Sequence, residues 1–240
     1  MENRNYYRIL CVGGHRSPSN AWRRVLTFRK MGHTAESLNT SSYGYFKTQL
    51  LRRIALGIGF PLVRFFLTRE LLRKVTQFKP HIIFFEKSTW LRRKDLERLR
   101  ATGPGEMKLV HYNPDDPFGH FSKGWRSFIE AIPSYDVHFV PKPGNVEEYQ
   151  HRGAQSVYAF DRSFDPDLHR PIGLTDNDKK KYSCSVGFIG AYAKHREQMI
   201  ADLIRSGTLV TVWGGGWQRG ANWEVIRPHW RGPGQHNENY

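Results

Sequence analysis

Only two cysteines occur in 240 residues, which excludes a disulfide framework, and neither stands in a metal-type spacing. Cys11 and Cys184 each lie in an apolar run just before a glycine, so both are expected to be small buried strand residues. Long apolar runs are equally scarce. The longest, Ile54 to Val63, contains glycine and proline and falls far short of the roughly 20 residues that span a bilayer. The N-terminus leads only into the short run Ile9 to Val12. No signal peptide is therefore expected, and the chain is read as soluble in a reducing cytoplasm or held peripherally at a membrane. The standard phosphate motifs are missing too: Gly13-Gly14 has neither the GxGxxG spacing nor the Gly-Lys-Ser/Thr of a P-loop. The eleven histidines include no HxxxH or HExxH pair, so no catalytic metal is expected.

Acidic residues are also outnumbered, 22 against 37 Lys and Arg, for a net charge of +15. The surplus is uneven. Between Lys47 and Arg100 there are fourteen Lys or Arg against Glu70, Glu86, Asp95 and Glu97. Such a sector suits an anionic lipid surface, a nucleic acid or a phosphorylated substrate, and it equally suits a solvated helix face. A hydrophobic content of 39% is enough for a packed core, and the 14% aromatics with seven Trp fit either core packing or contact with sugar and base rings.

Apolar runs alternate with helical spacing along the chain. Arg8 to Val12 is a strand candidate, followed by Gly13-Gly14, by helix-start chemistry at Ser17-Pro-Ser-Asn20 and by a helix from Ala21 to Met31 closed by Gly32. Tyr45 to Phe78 reads as two basic amphipathic helices broken near Gly57 to Pro61. Further strands are expected at His81–Phe85, Met107–Tyr112, Val137–Val140 and Ser156–Phe160, with helices from about Arg92 to Arg100 and Val146 to Gln150. Runs apolar without alternation mark parallel strands covered on both faces, so the expected fold is α/β, a doubly wound parallel sheet. Asp161 to Lys181 holds five Asp, two Pro and three consecutive Lys and reads as a linker. Beyond it, Ser185 to Ile189, Gly190 and a helix from about His195 to Ser206 repeat the order strand, glycine, helix.

Ligands of open parallel sheets bind at the carboxyl ends of the strands. Here those ends carry Gly13, Gly14 and His15, then Glu86-Lys87, Asp115-Asp116, Lys142, Gly190 and Gly214-Gly215-Gly216. Glycines, cations and carboxylates together fit a phosphate-bearing substrate held for acid–base or electrostatic chemistry. Each residue has a plainer alternative. Gly13-Gly14 also makes an ordinary strand-to-helix turn, His15 is either a general base or a solvent-facing loop histidine, and Asp115 and Asp116 either orient a hydroxyl or cap a turn. Lys87, Lys142 and Arg196 either meet phosphate or lie free on the surface.

The order Ile9-Leu-Cys-Val-Gly-Gly14, Lys30-Met-Gly-His33, Lys79-Pro-His-Ile-Ile-Phe-Phe-Glu-Lys87, His111-Tyr-Asn-Pro-Asp-Asp-Pro-Phe118, Tyr135-Asp-Val-His-Phe-Val140, Gly187-Phe-Ile-Gly190 and Val212-Trp-Gly-Gly-Gly-Trp217 resembles the CgeB-type family of glycosyltransferase-like proteins. The resemblance implies a GT-B fold. Residues 1–165 would form its Rossmann-like acceptor-side domain, 166–182 a linker, and 183–240 the beginning of a Rossmann-like donor-side domain, truncated in this sequence. It implies transfer of a sugar from a nucleotide-sugar donor to an acceptor hydroxyl, with no cofactor and no metal. Asp115, Asp116 and His15 would be catalytic, Gly13, Gly14, Lys87 and Lys142 would bind acceptor, and Gly190, Arg196, Gly214, Gly215, Gly216 and Trp217 would bind donor. Residues 47–74 suggest a lipid-linked or otherwise anionic acceptor and contact with a membrane; no nucleic-acid motif is present. A non-catalytic scaffold derived from such an enzyme is the alternative. Two strands and a helix close no core alone, so Val210, Val212 and Trp213 are expected to be exposed or paired with another chain.

Overall fold

The computed structural model describes residues 6–15, 19–42, 61–119, 122–161, 164–167 and 169–234. The first of the two expected basic helices, with Lys47, lies outside them, as do Ser17 and Pro18. The chain divides into two compact units, Met1–Asp165 and Pro166–Tyr240.

The first unit holds strands β1 (Arg8–Gly13), β2 (Thr34–Asn39), β3 (Ile82–Glu86), β4 (Lys108–Tyr112), β5 (Val137–Val140) and β6 (Val157–Ala159), and helices α1 (Asn20–Lys30), α2 (Pro61–Phe78), α3 (Arg93–Thr102), α4 (Arg126–Ala131) and α5 (Gly144–His151). All strand pairs are parallel, in the order β2-β1-β3-β4-β5-β6. The β1–β2 crossover runs to one side and the chain then returns past β1 to form β3, so the topological switch lies between β1 and β3.

Alternate residues of each strand serve two cores. Leu10, Val12, Ile83, Phe85 and Leu109 pack with Leu71 and Val75 of α2, Leu96 and Leu99 of α3, Phe128 of α4 and Tyr149 of α5. Ile9, Cys11 and Ala35 pack with Val25, Trp22 and Phe28 of α1 on the other face. That second face continues over Phe139, whose ring contacts those of Tyr158 and Phe160, both of which stay exposed.

Local chemistry sets the helix ends. Ser19 Oγ accepts the Trp22 amide at 3.2 Å to start α1, whose last turn carries Arg29 and Lys30, and Gly32 takes a left-handed φ of 92° beyond it. Pro61 opens α2 where its missing N–H has no helical role. Three strands or helices before Val186 were not expected. Thr34–Asn39 is polar and poor in strand formers, yet it joins the sheet because the β1 backbone offers it a full ladder from Arg8–Thr34 to Gly13–Asn39. The short α4 lies in the β4–β5 connection and is held by the burial of Phe128 and Ala131. Within the expected linker, Asp176–Tyr182 forms α6, begun by a capping box in which Thr175 Oγ1 accepts the Asp178 amide and Asp178 Oδ2 accepts the Thr175 amide.

The second unit also contains parallel strands β7 (Val186–Ile189) and β8 (Val210–Trp213), joined by α7 (Lys194–Arg205), and α8 (Trp223–Ile226). The expected exposure of Val210, Val212 and Trp213 is not found: they are 2%, 0% and 8% exposed. The segment after β8 folds back, so Trp217, Ile226, Trp223 and Trp230 close a small core over Ile200, Ala201, Val210 and Val212. Val186, Ile189, Met199, Leu203 and Leu209 stay exposed, as do Ile172 and Leu174 before β7. Cys184 is exposed, against expectation, because it precedes β7 rather than lying within it; Cys11 is buried, and burial beside Glu86 raises its thiol to about 12, so it stays protonated.

Two histidines lie inside the first core. His111 stacks on Phe128 at 4.4 Å with neither ring nitrogen hydrogen-bonded, and His138 sits 5.6 Å away with Nε2 on the Ile132 carbonyl. Burial holds both below the ordinary value of 6.5, His138 at about 4, and the neighbouring His138 lowers His111 further. They fold neutral and charge only on unfolding. Their contribution is therefore complete above pH 6.5 and is lost as pH falls from 6.5 toward 4, by up to about 1.4 kcal/mol per pH unit per histidine. Urea unfolding across this range should show that loss, and His111→Phe, which keeps the ring stack, should remove one histidine's share of the slope. An unchanged slope would clear His111 of the effect.

Candidate functional site

Because every strand of the sheet runs in one direction, the expected rim residues of the first unit gather at a single edge. At the switch point β1 ends in Gly13, Gly14 and His15. A Cβ on Gly13 would lie 3.2 Å from Glu86 Cβ and 3.4 Å from His15 Nε2, which explains the absence of a side chain there. His15 is not the solvent-facing loop residue of the plainer reading. It is 8% exposed, its amide donates to Asn39 Oδ1 at 3.1 Å, and its Nδ1 has no partner. Burial lowers its pKa to about 4, so it stands as a neutral imidazole at physiological pH.

Glu86 ends β3 beside it. Burial raises this carboxyl above its ordinary value, and the Arg24 guanidinium opposes the shift from 2.6 Å while lying 4.3 Å over the Tyr112 ring. The next residue, Lys87, has a left-handed φ of 51°, uncommon for a side chain of its length, and its amide donates to the Tyr112 carbonyl. That turn aims Nζ at Asp115 Oδ2, 2.5 Å away.

Beyond β4, Asn113 is fully buried; its Nδ2 donates to the Tyr149 hydroxyl and its Oδ1 accepts the Asp115 amide. Asp116 accepts from the Phe118 amide at 3.0 Å, from Lys142 Nζ at 3.2 Å and from Asn145 Nδ2 at 3.3 Å. Partial burial would raise the Asp116 carboxyl, but these donors outweigh it and hold the group below its ordinary value. The edge therefore presents two lysine–aspartate pairs, each about half open to water and replaceable at little cost by a ligand. Glu86 was expected at a strand end but without a role, and three further rim residues lie outside the expected set. Asn113 could have been found as the polar end of an apolar strand, and Asn145 as a first-turn polar residue of α5, whereas Arg24 reaches Glu86 across 62 residues of sequence.

In the second unit the glycine run has a packing role. Gly214 has a φ of 141°, and a Cβ there would fall on the Gly190 carbonyl. The two strand-end loops are tied by Gly190 N to Trp213 O, Tyr192 N to Gly215 O and Trp217 Nε1 to Gly190 O, at 2.9, 3.0 and 3.0 Å. Trp217 is 1% exposed and belongs to the core. Arg196 lies in the first turn of α7 and donates to the Ala191 carbonyl at 3.0 Å, with its guanidinium beside Gly190. Gly190, Arg196 and Gly214 to Gly216 are thus brought together at one end of the β7–β8 pair.

Among the described residues no group of three or more His, Cys, Asp or Glu is placed to hold a metal ion, and no helix is long and apolar enough to cross a membrane.

The sequence matches no protein-family model and no curated protein. Among solved structures the chain is similar to the crystal structure of Anabaena Alr3699/HepE in complex with UDP and glucose, with a TM-score of 0.54 and 10% identity, covering 96% of this chain and 70% of that one. At this identity the likeness establishes the fold. The protein is α/β, with a Rossmann-like doubly wound parallel sheet followed by strands of a second Rossmann-like unit.

Gly214→Ala should lower the stability of the second unit by about 2 kcal/mol or more, since it combines a disfavoured φ with overlap on a carbonyl. Hydrogen exchange at the Val210 and Val212 amides reads this directly; unchanged protection would show that the two loops can separate without cost.

Proposed function

We propose that the chain is a glycosyltransferase-like protein, of the CgeB type in its motif order, which transfers a sugar from a nucleotide-sugar donor to an acceptor hydroxyl without a metal. The observation that carries this reading is its fold likeness, along nearly the whole chain, to a protein crystallised with UDP and glucose. The strand-end chemistry supports it. On this reading the rim of the first unit holds the acceptor: displacement of Lys87 or Lys142 from its aspartate frees a cation for an anionic group and a carboxylate for a hydroxyl. Asp116, ionised and fixed by three donors, is suited to orient the hydroxyl; His15, neutral and unpartnered at Nδ1, is suited to receive its proton as the bond to the sugar forms. The donor's diphosphate would lie at the strand ends of the second unit, against Arg196 and the backbone of Gly190 and Gly214 to Gly216. The leaving nucleoside diphosphate departs with the electron pair of the broken bond.

The second reading is a non-catalytic binding protein derived from such an enzyme, favoured by the mutual neutralisation of the rim lysines and aspartates. Calorimetric titration of UDP and UDP-glucose separates the two. Binding is expected, weakened about tenfold or more by Arg196→Ala, while Asp116→Asn should leave it unchanged and lower transfer to a supplied acceptor by about a hundredfold. Absence of both nucleotide binding and transfer would leave only the second reading.

A further inference from the structure

The outer surface of α2 is unlike that of the other helices. Its inner face is closed by Leu67, Leu71 and Val75, all buried, and Arg64 turns inward to Asp95 at 3.9 Å. Its outer face opens with Phe65 and Phe66, 60% and 53% exposed, whose rings meet edge to face at 5.4 Å. Arg69 and Arg73 follow on the same side, both exposed. The neighbouring α3, on the same side of the sheet, turns Arg93, Lys94 and Arg98 outward. The acids of this surface are consumed locally: Glu70 pairs with Arg73 at 2.9 Å and Glu97 with Arg93 at 3.1 Å. Arg69, Lys94 and Arg98 have no ion-pair partner among the described residues and remain as net positive charge.

The position of the aromatic pair adds to its chemistry. The last residue of α2 lies only four positions before Ile82, the first of β3, so the helix runs back against the strands. Twelve or thirteen residues of helix, about 18–20 Å, separate Phe78 from Phe66 and Phe65, enough to pass the whole of the five-residue β3. Phe65 and Phe66 therefore stand at the level of the strand carboxyl ends, where Arg64 meets Asp95 in the first turn of α3.

We infer that this face docks on an anionic lipid surface, with Phe65 and Phe66 inserted among the acyl chains and Arg69, Lys94 and Arg98 at the headgroups. Two side chains without any polar atom, flanked by unpaired cations on a convex helical surface, match that interface. Their edge-to-face packing offers no pair of parallel ring faces for stacked bases. This inference does not require sugar transfer, and its test contains no nucleotide.

The test is co-sedimentation of the full chain with phosphatidylcholine vesicles, with and without phosphatidylglycerol. The chain should bind only the vesicles containing phosphatidylglycerol and should be released by salt. Arg69→Ala should weaken binding about fivefold, and the double variant Phe65→Ser/Phe66→Ser at least about tenfold, with the thermal midpoint unchanged because both rings are exposed. Equal binding to the two vesicle types, or full binding by the double variant, overturns the inference. Failure to sediment with either vesicle, together with salt-sensitive retention on duplex RNA that is lost in Arg69→Ala, overturns it in favour of nucleic acid.

Discussion

A sheet whose strands all run one way buries each strand on both faces and sends every carboxyl end to the same edge. Both consequences are visible in β1. Ile9 and Cys11 serve one core, Leu10 and Val12 the other, and the strand then has no apolar residue left to give: it ends in Gly13, Gly14 and His15. The same transition occurs at Phe85 to Glu86 and at Tyr112 to Asn113. Chemistry gathers at the rim because the core claims every position before it.

Electrostatics sorts the ionisable groups by depth. In the interior burial holds His111 and His138 uncharged at neutral pH. At the boundary His15 is neutral, and Glu86 is held by Arg24 against a rise caused by burial. At the rim Asp115 and Asp116 are matched by Lys87 and Lys142. Although the chain carries +15, its rim is locally balanced, and among the described residues Arg69, Lys94 and Arg98 leave unpaired positive charge on the outer faces of α2 and α3. Site and surface charge are therefore separate features, joined only by the direction in which α2 runs.

The second unit obtains its order from close backbone approach rather than from size. With two strands it has little sheet to bury, and the loops after β7 and β8 compensate by bonding to each other through Gly190, Gly215 and the Trp217 indole. Trp223 and Trp230 complete the small core, and the Trp230 indole donates to the Gly214 carbonyl at 2.9 Å. The glycines of this run are required by packing whether or not a ligand uses the backbone they expose.

Strands β1, β3, β4, β5, β6, β7 and β8 and helices α1, α3, α5 and α7 were legible because each carries an apolar run or face of its own. Thr34–Asn39, α4, α6 and α8 were not, since β2 takes its order from the β1 ladder, α4 and α8 from neighbours in the core and α6 from a single capping box. In the candidate site the sequence by itself determined which residues end the strands, because hydrophobic runs stop where a sheet does. Only the tertiary structure decided what those residues are: that His15 is buried and neutral, that each rim lysine already faces a carboxylate, that Arg24 belongs to Glu86, and that Trp217 is core. Burial and charge pairing are sums over neighbours distant along the chain, and those neighbours exist only once the chain has folded.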